Sequence, residues 1–233
     1  QKTIYSTDIG CYTLGALPPL EIGDTCLCMG ASIGLGMGLS LVDKSKKIVS
    51  VIGDSTFYHA GIPGLINAVY NRYNILVAVM DNGVTAMTGH QPNPGSGVDA
   101  FGRETPRIDP EEIARGIGVE RVETVNPYDI PKTLAVLKEL RGVEGPSLIV
   151  FKAPCILLEL RRKRRLGESV TFYRILEDKC TDCKACYTVI FCPALTPREG
   201  EKPRILENLC TGCGLCSHIC PYKAIQPGGE RKA

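Results

Sequence analysis

Eight of the twelve cysteines in this 233-residue chain stand in two runs near its C-terminal end. The first is Cys180, Cys183, Cys186 and then Cys192 followed by Pro193; the second is Cys210, Cys213, Cys216 and Cys220 followed by Pro221. Cysteines at i, i+3 and i+6 in a tight loop can place thiolates on three corners of one iron–sulfur cube, and the fourth corner must come from elsewhere in the fold. In the bacterial C-x2-C-x2-C-x3-C-P run, the fourth cysteine serves the other run's cluster. The spacing therefore predicts two [4Fe-4S] cubanes, the first on Cys180, Cys183, Cys186 and Cys220, the second on Cys192, Cys210, Cys213 and Cys216. Such groups move electrons one at a time. Five residues separate Cys186 from Cys192 where the pattern has three, which predicts a bulged loop. Zinc knuckles would leave the trailing Cys-Pro pairs unexplained. Nothing resembles a signal peptide, and C-x2-C-x2-C geometry would strain multiple disulfides.

A second chemical centre lies in the first half. Gly53-Asp54-Ser55 follows one apolar run, Ile48–Ile52, and Asp81-Asn82-Gly83 follows another, Ile75–Met80. Ser147–Phe151 is a third such run, Val119–Val125 a weaker one. Continuous apolar runs without alternation indicate strands covered on both faces. Leu65, Ile66, Val69 and Tyr73 recur at helical spacing between the first two runs. Asp109-Pro110-Glu111-Glu112 opens another helix with a capping aspartate, and a further helix is expected near Tyr128–Leu140. Strand–helix alternation predicts a doubly wound, mainly parallel α/β sheet, whose ligand site lies beyond the carboxyl ends of the strands. Asp54 and Asn82 gather at that edge. Together they could share a magnesium ion, which takes one or two carboxylates plus substrate phosphates, and this implies a phosphorylated cofactor. Alternatively, both only cap helices.

Length allows one ordinary domain and a small one. The expected division is 1–158 for the α/β domain, 159–168 for a basic linker containing Arg161-Arg162-Lys163-Arg164-Arg165, and 169–233 for a small α+β domain stapled by two clusters. The basic run is read as a solvated linker, with docking of an acidic electron carrier as the rival. A formal charge of +2 gives no case for nucleic acid, and no apolar run approaches the roughly 20 residues that span a bilayer. Cysteine-rich iron chemistry points to a reducing, low-oxygen cytoplasm. The chain begins at Gln1 and is expected to be part of something longer.

Gly53-Asp54-Ser55, followed by Asp81-Asn82-Gly83-Val84-Thr85-Ala86-Met87-Thr88-Gly89-His90-Gln91, resembles the thiamine-diphosphate motif of the 2-oxoacid:ferredoxin oxidoreductases, which carry a T-G-x-Q loop at this point. The resemblance implies magnesium on Asp54, Asn82 and the Val84 carbonyl, with Thr88 and its neighbours beside the diphosphate and Gly53 and Ser55 among the cofactor-binding residues. Ser55 replaces the more usual glycine. Asp8-Ile9-Gly10-Cys11 resembles the family's I-G-C turn next to the thiazolium, which brings in Gly10 and Cys11. Cys26–Gly34 resembles the loop and helix that enter under the cofactor, with Met29 either an apolar wedge or a core residue. His59 is a further candidate to face substrate, or a structural histidine. Gly34, Gly36 and Gly38 do not match G-x-G-x-x-G, and close helix packing accounts for them.

Domain order narrows the resemblance. A thiamine module followed directly by two cubanes, with Ala86–Gly95, is similar to the C-terminal part of the alpha subunits of indolepyruvate:ferredoxin oxidoreductases, over essentially the whole chain. It implies a ferredoxin-like second domain and oxidative decarboxylation of an arylpyruvate with coenzyme A as co-substrate. Thiamine diphosphate, Mg2+ and two [4Fe-4S] clusters would be the cofactors, and external ferredoxin the acceptor. Pyruvate and 2-oxoglutarate remain open as substrates, and a non-catalytic electron-transfer module is the reading from another class. No glutamate stands in a motif suited to the aminopyrimidine ring. A pyrimidine-binding domain, or the remaining part of the alpha subunit, and a second, beta-type subunit are therefore expected partners in a hetero-oligomer.

Overall fold

The computed structural model describes residues 3–18, 20–198 and 201–233. The chain forms two compact units, Gln1–Cys155 and Ile156–Ala233.

The first unit is built on a six-stranded sheet of β1 (Thr3–Thr7), β2 (Thr25–Cys26), β3 (Lys47–Gly53), β4 (Ile75–Asp81), β5 (Arg121–Val125) and β6 (Ser147–Lys152). Its order is β2-β1-β3-β4-β6-β5 and every pairing is parallel. The helices are α1 (Ala31–Val42), α2 (Asp54–Thr56), α3 (Ile62–Tyr70), α4 (Pro110–Ile117) and α5 (Ile130–Arg141), with a 3-10 turn over Cys11–Ala16 and a π turn over Phe57–Gly61 joining α2 to α3. The expected parallel α/β class is what forms. Strand side chains alternate between two cores. Ile75, Val77 and Val79 meet Ile33, Phe57 and Leu65 on one side, whereas Leu76 and Ala78 meet Val125, Leu140 and Ile149 on the other. At about 1.5–3 kcal/mol per buried aliphatic side chain, this two-sided burial explains why the middles of β3, β4 and β6 are mainly apolar.

Three local expectations change. Ile66 is half-exposed while its neighbour Leu65 is fully buried, because α3 turns only its Leu65–Ala68 stripe inward. Asp109 occupies the N-cap of α4 but makes no side-chain cap bond, since its carboxylate accepts a hydrogen bond from Lys152 Nζ at 2.6 Å. Of the three α1 glycines, only Gly36 packs closely: a Cβ there would meet Ser50 Oγ at 2.1 Å, while Gly34 and Gly38 face open space.

In the second unit, α6 (Ile156–Leu166) is followed by β7 (Ser169–Ile175), α7 (Ala185–Ile190), β8 (Leu195–Arg198), β9 (Glu201–Ile205), α8 (Leu215–Ile219) and β10 (Ile225–Lys232). β7 pairs antiparallel with β10, and β8 with β9. The basic run read as a linker is helical and belongs to this unit. Arg162 makes ion pairs with Glu159 (2.8 Å) and Glu168 (3.0 Å), which hold that helix to the start of β7. The bulge expected after Cys186 is absent too. The extra residues lengthen α7 to six residues against five in α8, and Phe191 turns the chain at a left-handed φ of 49°.

Gly36→Ala should destabilise the chain by about 1–3 kcal/mol through overpacking, while Gly34→Ala should be neutral or stabilising by about 0.5–1 kcal/mol through helix propensity. Denaturant unfolding of the two variants measures both; equal effects would refute the close approach of α1 to β3.

Candidate functional site

Because the strands are parallel, all their carboxyl ends open on one edge, and β1, β3, β4 and β6 lie side by side there. A cleft of about 520 Å³ occupies that edge, lined by Ile9, Gly10, Cys11, Tyr12 and Met29 at one end and Gly53, Asp54, Ser55, Asn82, Val84 and Thr88 at the other. Its volume lies in the range of ligand pockets, about 300–1,000 Å³. Every residue expected at a thiamine-diphosphate site except His59 lines it. Met29 is 43% exposed, which removes the core alternative. His59 is exposed, lies outside the cleft lining, and has Nδ1 at 2.6 Å from the Ser55 carbonyl.

Asp54 is the electrostatic focus. It begins α2, is 3% exposed, and burial pushes its pKa up to about 6, above the ordinary 3.8. Asn93 Nδ2 donates to its Oδ2 at 3.0 Å. The neighbouring carboxylates are served differently. Asp8, fully buried at the end of β1, accepts from Gly30 N (3.0 Å) and Ser32 N (2.9 Å) at the start of α1. Burial raises its pKa, and those amides oppose the rise. Asp81 accepts from Gly83 N at 3.0 Å and lies 3.9 Å from Lys152 Nζ; burial also raises its pKa. Asn82 Oδ1 accepts from Val84 N at 3.0 Å, which curls the loop back over the strand end.

Two more contacts shape the cleft. Gly53 N donates to Tyr12 Oη at 2.9 Å, and Gly10 admits the Tyr12 ring, since a Cβ at residue 10 would stand 2.5 Å from it. Ser55 Oγ accepts from Thr85 Oγ1 at 2.9 Å, so the serine that replaces glycine ties the Asn82 loop to α2. Thr88 Oγ1 donates to Gln91 Oε1 at 2.8 Å and closes the Thr88–Gln91 turn. Tyr12, Asn93 and the anchoring role of Asp8 were missed in the sequence reading. Their partners lie 41, 39 and 22–24 residues away, and only the Asn93-Pro94-Gly95 turn signal marks one of them.

In the second unit the eight cysteines form two groups. One cavity is lined by Cys180, Cys183, Cys186 and Cys220, the other by Cys192, Cys210, Cys213 and Cys216. The backbone repeats itself around them. Leu176 N donates to Ala224 O (2.8 Å) and Leu206 N to Ala194 O (2.7 Å), so each run is bound to the segment after the other run's fourth cysteine. Burial, and then the neighbouring Cys213, Cys210 and Cys192, push the Cys216 thiol up to about 12.

The family model for the C-terminal TPP-binding domain of thiamine pyrophosphate enzymes matches residues 8–151. The chain belongs to that family. A 4Fe-4S binding-domain model matches residues 203–226, which contain the second cysteine run. Indolepyruvate oxidoreductase subunit IorA of Thermococcus kodakarensis is 46% identical over 97% of this chain and 37% of that protein. The subunit of the same name from Archaeoglobus fulgidus is 48% identical over 95% of this chain and 35% of that protein. The resemblance to indolepyruvate oxidoreductases thus holds, and the chain spans a little over a third of the curated relatives it matches. A solved 2-oxoglutarate:ferredoxin oxidoreductase from Magnetococcus marinus shares the fold, with a TM-score of 0.58 and 17% identity over 66% of this chain and 55% of that one. Among the described residues, no helix is long and apolar enough to cross a membrane.

Asp54 gives a signed prediction for the metal-free chain. A carboxyl whose folded pKa is raised contributes stability that is complete below pH 3.8 and is lost as pH rises through about 6. At pH 7 the loss is roughly 3 kcal/mol. Asp54→Asn should therefore stabilise the metal-free chain at pH 7 and have little effect at pH 4, by denaturant unfolding at both. A destabilised variant at pH 7 would refute the uncompensated burial.

Proposed function

We propose that this chain is the cofactor-binding and electron-relaying part of an enzyme that oxidatively decarboxylates an arylpyruvate, of the indolepyruvate kind, to its acyl-CoA and passes the electrons to ferredoxin. The observation that carries it is one chain with a cleft at the carboxyl edge of a parallel sheet, centred on buried Asp54, together with two four-cysteine cavities.

The residues fit the group. A buried carboxylate whose charge is opposed by its surroundings suits a divalent cation, and oxygen donors suit magnesium. Asp54, Asn82 and the Val84 carbonyl would hold Mg2+, while Gly53, Ser55 and Thr88 would flank the diphosphate. Gly10, Cys11 and Met29, which line the cleft, would stand beside the rest of the cofactor. Bound there, thiamine diphosphate supplies the nucleophilic carbon that lets a 2-oxoacid lose carbon dioxide and retains the electron pair left behind. Two oxidised acceptors, the 2-oxoacid and coenzyme A give two reduced acceptors, acyl-CoA, carbon dioxide and a proton. The electrons would travel singly through one cluster on Cys180, Cys183, Cys186 and Cys220 and another on Cys192, Cys210, Cys213 and Cys216. Hydrogen bonds to sulfur, from Tyr173 N to Cys210 (3.4 Å) and Ala224 N to Cys220 (3.3 Å), would help set their potentials. The pyrimidine-binding part, a beta-type subunit and external ferredoxin complete the assembly, in a reducing cytoplasm.

Anaerobic addition of indolepyruvate to the native complex, with magnesium, thiamine diphosphate and coenzyme A, should bleach the cluster absorbance more strongly than pyruvate or 2-oxoglutarate. If no oxoacid bleaches clusters that dithionite still reduces, an electron-transfer module becomes the better account. For the crossed ligand sets, Cys220→Ser should perturb the cluster of the first run and leave that of the second intact. Two distinguishable cubane signals in the electron paramagnetic resonance spectrum report the outcome, and loss confined to the second run's cluster would overturn the assignment.

A further inference from the structure

Asn93 lies in the excursion between β4 and α4, beyond the motif that marks the cleft, yet it is only 8% exposed. Its Oδ1 accepts from Gly95 N at 2.9 Å, and this fixes which way the amide faces. Nδ2 is thereby turned toward Asp54 Oδ2, 3.0 Å away. The main chain is pinned as well, since Asn93 O accepts from Ser96 N at 2.9 Å and from Ser96 Oγ at 2.7 Å. Gly95 is required beside it, because a Cβ there would stand 2.6 Å from Tyr58 Oη. The far end of the excursion is held by Ile108 N donating to Pro94 O at 3.1 Å and by the Tyr58 hydroxyl donating to Ile108 O.

We propose that Asn93 is a positioning residue for Asp54: its amide engages one carboxylate oxygen, fixes the carboxyl's rotation, and so tunes the affinity of the site for its divalent cation. This rests on the reading of Asp54 as a magnesium ligand. A carboxylate at the end of a short side chain has one torsion that decides where its oxygens point, and no other side chain is hydrogen-bonded to it among the described residues. The consequence is a link from the seating of the 83–108 excursion to metal binding at the end of β3. Partners of this kind behind a metal ligand are typically worth about 10–100-fold in affinity.

The test uses the full-length subunit in its native complex, with thiamine diphosphate present and Mn2+ as the probe, followed through the paramagnetic resonance of free Mn2+. Asn93→Leu, nearly isosteric but without a donor, should weaken Mn2+ binding by about tenfold or more. A merely structural residue would lower unfolding temperature and turnover without moving the metal titration. Should Asn93→Leu fail to fold, Asn93→Ser, polar but too short to reach Asp54, gives the same comparison. Unchanged Mn2+ affinity in a folded variant overturns the role of Asn93. A parent complex that takes up no Mn2+ with thiamine diphosphate overturns the magnesium reading itself, and this proposal with it.

Discussion

A carboxylate at the end of an inner strand of a parallel sheet has nowhere to go but inward, and the arrangement of the first unit follows from how such groups are treated. Three of them stand on the same edge. Asp8 has the amides at the start of α1, where unsatisfied N–H groups and the helix dipole favour negative charge. Asp81 has an amide and a lysine within 4 Å. Asp54 has neither a helix amide pair nor a cationic side chain. Among the described residues its side-chain hydrogen bond comes from a neutral amide, that of Asn93. Of the three it is the one with neither helix amides nor a cationic side chain to offset its burial.

The same contrast explains the order of the surrounding loops. Asp8 is structural in effect: by holding Gly30 and Ser32 it fixes where α1 begins, and so fixes the Cys26–Gly30 loop that brings Met29 to the cleft. Gly30, at a φ of 90° and with room for no Cβ against Ala60, completes that turn. Tyr12 then bridges the two ends of the cleft, its ring over Gly10 and its hydroxyl on Gly53 N. The carboxylate held by helix amides shapes the walls of the cleft, and the one without them stands in its lining.

Legibility from the sequence divides along the same physical line. Strands β3, β4 and β6 were readable because both their faces are buried, so composition alone marks them. β1 was not, although it lies inside the sheet. Its Ser6 and Thr7 are buried but polar, and they are satisfied by Thr25, whose Oγ1 donates to Ser6 Oγ (3.1 Å) and whose carbonyl accepts from Thr7 Oγ1 (2.9 Å). Hydrogen bonding there replaces the apolar signal that periodicity detects. At the site, Asp54, Asn82 and Val84 lie in contiguous motifs and could be named, whereas Asn93 and Tyr12 meet their partners only through the fold. The cysteine sets were readable because iron imposes spacing on the chain directly.

That imposition is visible in the backbone of the two cysteine loops. In the second, Gly212 and Gly214 take left-handed φ values of 76° and 75°, and each is also crowded: a Cβ would meet Thr171 O at 2.3 Å and Tyr173 Oη at 2.9 Å. Glycine there is over-determined. At the matching positions of the first loop stand Asp182 and Lys184, with φ values of 54° and 65°. Side chains in this region cost about 1–2 kcal/mol each, so residue preference cannot be what sets the loop's shape. The common factor is the spacing of three cysteines in each loop, which line one cavity together with the fourth cysteine of the other run. Two sequences with different local preferences thus adopt one conformation, and what they share is the placement of their cysteines, for which the first loop accepts a backbone that its own residues disfavour.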